Sequence, residues 1–256
     1  MNTKIKSFEI KSFDERRNIV IPGNVDETHI FCVEHFIATA NSALSAKGAF
    51  YVALSGGSTP KAIFKLLASP LYRDQIDWSH VHLFWSDERC VSEKSPESNF
   101  FMAMEAGFSS LNIPKNQIHR MQGDASDLEV SADLYQKLIE KHVPHAEFDL
   151  IMLGMGDDGH TASLFPDTKG LHIEDKLVIE NFIPKLNAWR LTFSYSLINK
   201  AKNIAIYVMG KSKAPVLKQV LKGPFHFVSL PIQKVGTKSH KALWIVEEQA
   251  ASQLDF

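Results

Sequence analysis

Six short, mainly apolar runs punctuate the chain, at residues 49–54, 81–85, 149–153, 190–195, 203–209 and 242–246. Runs of that length suit strands buried on both faces, where no polar alternation is needed. Between them, apolar residues recur at helical spacing. Ile30, Val33, Phe36 and Ile37 mark one face of a helix over residues 26–46, which ends near Gly48. Further helices are predicted over 60–68, opened by Pro60, and over 98–111 and 126–142. A short one at 196–201 and another at 212–221, stopped by Gly223-Pro224, complete the set. Strands alternating with helices predict an α/β fold, a parallel sheet covered on both faces, with 242–246 closing it. Residues 165–186 are the stretch expected to leave the sheet. No repeat or Ser/Gly-rich linker divides residues 1–256, so one domain is expected.

Composition narrows the partners. The 28 basic and 29 acidic residues leave a net charge of −1, which gives no field toward nucleic acid or an anionic membrane. An anion site must therefore be local. Two cysteines, Cys32 and Cys90, are too few for a disulfide scaffold. Cys32 falls on the apolar helix face, and nothing near Cys90 makes a thiolate. No stretch reaches the roughly 18 apolar residues that span a bilayer. The first ten residues break their apolar positions with charges, unlike the core of a signal peptide. A cytoplasmic protein is expected.

The chemistry concentrates after the strands. Residues 149–153 run into Gly154-Met-Gly-Asp157-Asp158-Gly-His160-Thr-Ala-Ser-Leu-Phe-Pro166. The glycines let backbone approach a ligand, and a carboxylate two residues from a histidine suits a base held in one orientation. Helix capping by the aspartates, with a surface histidine, is the plainer reading of Asp-Gly-His alone. Leu54-Ser55-Gly56-Gly57-Ser58-Thr59-Pro60 follows a strand and opens a helix, so its N–H groups and hydroxyls can hold a phosphate without a lysine. A simple cap is again the alternative. Trp85-Ser-Asp87-Glu88-Arg89-Cys90-Val91, with Ser98-Asn99 downstream, packs charge at a strand end. It reads either as a structural ion network or as an arginine placed to stabilise an oxyanion. A metal at Asp157, Asp158 and His160 does not match the usual zinc ligand set.

Taken together, the order of these motifs resembles the 6-phosphogluconolactonases, over nearly the whole chain. The Gly154–Pro166 stretch resembles their signature, and Ser55–Pro60 looks like the phosphosugar loop they share with glucosamine-6-phosphate deaminases. The resemblance implies a Rossmann-like three-layer αβα domain with a mainly parallel sheet. It also implies His160 as base, Asp158 as its orienting partner and Arg89 at the oxyanion. Ser55, Gly56, Gly57, Ser58, Thr59 and Asp87 are implied at the substrate, with Arg190 and Lys213 as phosphate ligands and Lys185 as a further contact. The implied partner is a small phosphosugar lactone, met by a monomer or homodimer that needs no cofactor and no metal. The pattern departs at Trp85-Ser86 and at Asn187-Ala-Trp189, which implies a differently shaped pocket wall. A deaminase on the same fold carries a tyrosine where Arg89 stands and a glutamate in the tripeptide aligned with Leu164-Phe165-Pro166. A non-catalytic sugar-phosphate sensor would carry a DNA-binding module or lack the base, and neither is seen here.

Overall fold

The computed structural model describes residues 8–255; most of the charged N-terminal segment discussed above, residues 1–7, lies outside them. In chain order the elements are β1 (Lys11–Ser12), β2 (Arg17–Val20), α1 (Val25–Lys47), β3 (Phe50–Leu54), α2 (Ser58–Leu67), β4 (Val81–Trp85) and β5 (Asp87–Arg89). Then follow α3 (Asn99–Glu105), α4 (Leu128–His142), β6 (Leu150–Gly154), β7 (Val178–Ile183), β8 (Ala188–Phe193), α5 (Tyr195–Ile198), β9 (Ile204–Val208), α6 (Ala214–Lys222) and β10 (Ala242–Val246).

Among the described residues the main sheet has seven strands in the order β1-β2-β10-β9-β6-β3-β4, all parallel except the edge strand β1. Strands β3, β4, β6, β9 and β10 are mainly apolar because they feed two cores. Ile151, Leu153, Ile204 and Ile206 face one side, under α4, α6 and a smaller sheet. Leu150, Met152, Ala205 and Tyr207 face the other, under α1 and α2. Local signals set the helix ends. Asn24 caps α1, with Glu27 completing a capping box, and Gly48 ends it at φ 74°, where a side chain would be strained. Among the described residues no helix is long and apolar enough to cross a membrane.

Several expectations shift. Val33, Phe36 and Ile37 are buried on α1, but Ile30 is 43% exposed; Cys32 and Ala40 complete the buried stripe instead. The helix expected over 98–111 stops at Glu105 and resumes as a 3-10 turn after Gly107. β10 does not close the sheet, since β2 pairs beyond it. The strand expected near 190–195 does not join the main sheet either. It is β8, the middle of an antiparallel sheet β5-β8-β7, whose strand β7 belongs to the stretch expected to leave the main sheet and does leave it.

Winding places the crevice. From β3 the chain passes through α2 on one face and adds β4 outward; from β6 it passes over the opposite face and adds β9 and β10 on the other side. The loops after β3 and β6 thus diverge, and open α/β sheets bind ligands at such a point.

Candidate active site

The loop after β3 makes one wall. Gly57 sits at φ 104°, ψ 174°, a conformation close to glycine-only, and caps α2 without any side-chain bond. The first N–H groups of α2, from Ser58 and Thr59, therefore face the cleft at the positive end of the helix. Gly56 is as constrained: a Cβ there would collide with the Asn99 amide. Lys213, at the turn after β9, lines the same lobe and pairs with Asp157 at 2.7 Å. This lobe has a volume of about 330 Å³.

The loop after β6 supplies the candidate base. His160 Nδ1 lies 2.5 Å from Asp158 Oδ1, and its ring stacks on Phe165 with centroids 3.9 Å apart. With Nδ1 engaged, Nε2 is the nitrogen available to a reacting water. The hydrogen bond from His160 and, against burial, its charge hold the Asp158 carboxyl well below the usual carboxylate range. Lys185 also donates to Asp158, at 3.3 Å. The motif's backbone is fixed by Gly156 N–H donating to the His160 carbonyl and by Thr161 Oγ1 donating to the Gly154 carbonyl.

The loop after β4 forms the floor. Glu88 is buried and accepts from Arg89 N and Asn99 N at 2.7 Å, Phe100 N at 2.8 Å and Ser98 Oγ at 2.9 Å, so it caps α3 rather than meeting the cleft. Burial nonetheless pushes its carboxyl up. Asp87 accepts from Ser163 Oγ at 2.7 Å and, like Asn99, lines the first lobe. Arg89 donates to the Glu97 carbonyl at 2.6 Å and lines both the first lobe and a second one.

That second lobe, about 340 Å³, holds Lys185, Arg190, Asp158 and Phe165, and shares Asp87, Arg89 and His160 with the first. Arg190, grouped with Lys213 in the sequence reading, therefore lines the other lobe, where β8 sets it opposite Arg89 in register. Burial and then the Arg89 charge pull its pKa down. All twelve singled-out residues line one lobe or the other. Asn99, Ser163, Phe165 and Tyr207 were not singled out. Ser163 and Phe165 belong to the Gly154–Pro166 stretch and Asn99 stands beside the charged strand end, but Tyr207 belongs to a core strand and carries no signal.

A doubly covered parallel sheet with a helix N-terminus and an Asp–His pair lining a cleft at its switch point defines an α/β domain of the enzyme type. Residues 24–244 match the family described as glucosamine-6-phosphate isomerases/6-phosphogluconolactonase, and the chain belongs to that family. The chain is 43% identical over 223 residues to a 6-phosphogluconolactonase of Chlamydia pneumoniae, covering 86% of this chain and 84% of the relative. Among solved structures, the devB protein superposes with a TM-score of 0.84 at 31% identity, covering 93% of this chain and 99% of the other. The 6-phosphogluconolactonase of Thermotoga maritima gives 0.77 at 28%, with 90% and 98% covered.

Proposed function

We propose that this chain hydrolyses 6-phospho-D-glucono-1,5-lactone to 6-phospho-D-gluconate, the lactone-opening step of the oxidative pentose phosphate pathway. One observation carries the reading: the Asp158-held His160 stands where an anion lobe and an arginine-rich lobe meet. The phosphate occupies the Ser55–Thr59 loop with Lys213, and the lactone ring reaches toward His160. Nε2 takes a proton from water as oxygen bonds to C1, and Arg89 stabilises the charge on the former carbonyl oxygen. Collapse breaks the bond from C1 to the ring oxygen, which receives the proton from Nε2. Arg190 and Lys185 hold the sugar end in the second lobe, where a carboxylate develops.

The same residues argue against a deaminase: Arg89 lines the cleft, and Leu164-Phe165-Pro166 offers no carboxylate. One cleft shared by both sheets supports reading residues 1–256 as a single domain. We place the enzyme in the cytoplasm, as a monomer or homodimer with neither nucleic-acid nor membrane partner. The test generates lactone in situ from glucose-6-phosphate and follows 6-phosphogluconate with and without the protein. Acceleration over spontaneous opening is expected; none, from folded protein, overturns the reading.

A further inference from the structure

Away from the cleft, three histidines from distant parts of the chain converge at the outer edge of the main sheet. His82 lies on β4, His119 follows a strand-like bridge between Leu83 and Ile118, and His142 ends α4. One ring nitrogen from each lies within 4.8 Å of the other two, and among the described residues no other trio of potential ligands gathers so closely. His82 Nδ1 and His119 Nε2 are 3.4 Å apart. Two nitrogens bound to one tetrahedral ion at about 2.0–2.1 Å stand about 3.3–3.4 Å apart, so this pair already has the spacing of a chelate.

We propose that His82, His119 and His142 bind one divalent transition ion of the zinc type, with water completing the shell. Imidazole ligands suit zinc, copper and nickel, whereas the absence of carboxylate from the trio disfavours magnesium and calcium. The alternative is a purely packed stack, since His119 also lies flat on Phe84 at 4.3 Å and His82 on Tyr51 at 4.7 Å. Stacking and a hydrogen bond between His82 Nδ1 and His119 Nε2, however, account for the ring faces and two of the nitrogens, and not for the approach of the third to both. The ion would clip the C-terminal end of α4 and the 118–121 segment to β4, stiffening the sheet edge. His82 sits three residues before the carboxyl end of β4, so the site is remote from His160 and separate from catalysis.

The experiment uses tag-free, full-length protein stripped with chelator. Zn²⁺ is titrated by calorimetry, and Co²⁺ is followed through the visible bands of a tetrahedral site. One ion per chain and a rise in Tm are expected. His142→Gln, at a partly exposed helix end, should weaken binding at least tenfold and abolish the Tm rise while leaving lactone hydrolysis unchanged. His119→Ala should do the same if it folds. His160→Ala must keep the binding. Failure to bind Zn²⁺ stoichiometrically, unaltered binding by folded His142→Gln, or loss of binding in His160→Ala would each overturn the proposal.

Discussion

At the scale of single residues, the proposed catalysis rests on one short contact. His160→Ala should lower kcat by about 10²–10⁴ while product affinity changes far less, because the side chain acts in the chemical step. Single-turnover rates beside calorimetric binding of 6-phosphogluconate separate the two; near-normal turnover in the folded variant would remove His160 from the mechanism. Asp158 also makes a prediction in pH. Its folded pKa is depressed, so its stabilising contribution is fully present above the unfolded value of about 3.9 and is lost as pH falls through the folded one. Between about pH 4 and pH 2, Tm should fall less in Asp158→Asn than in the native protein. Parallel melting curves against pH would show that this pair is not a source of acid sensitivity. Both residues were legible from sequence, because two positions apart in a glycine-rich loop they can meet without help from the rest of the fold.

The elements carry the anion site. Gly57 holds backbone geometry near the region only glycine occupies, and Gly57→Ala should cost about 1–3 kcal/mol of stability and misaim the Ser58 and Thr59 N–H groups. Lys213→Ala spares the backbone and removes a cation. Both variants should lose selectivity for the phosphorylated lactone over glucono-1,5-lactone, read as the ratio of kcat/KM values. An unchanged ratio in both would move the phosphate elsewhere. The lobes separate Arg190 from Lys213, with which the sequence grouped it as a phosphate ligand. Its neighbour Arg89 is 101 positions away and becomes adjacent only when β5 pairs with β8.

For the whole molecule, the family covers two chemistries on one fold, and the cleft decides between them. Arg89→Lys keeps the charge and loses the planar fork, so lactone opening should slow at least tenfold. The native protein should release no ammonia from glucosamine-6-phosphate above background. Robust release with the lactone untouched would make the chain a deaminase. Fold-level likeness cannot make that choice, because sites are grafted onto a shared scaffold.

The sequence by itself determined the five buried parallel strands β3, β4, β6, β9 and β10, since burial on both faces demands a mainly apolar run. It also determined the glycine loops and the Asp158–His160 pair, whose geometry is set within a few residues. Only the tertiary structure decided the short strands β2 and β5, which bury too little on their own to be recognised before a distant partner pairs with them, and the longer β7, which pairs with β8. Asp87-Glu88-Arg89 is polar enough to read as a loop, and it becomes a strand because β8 supplies its hydrogen bonds. The same holds for the exposure of Ile30, for the two arginines side by side and for the meeting of His82, His119 and His142. Each depends on contacts across tens of residues, which a periodicity confined to neighbouring positions does not encode.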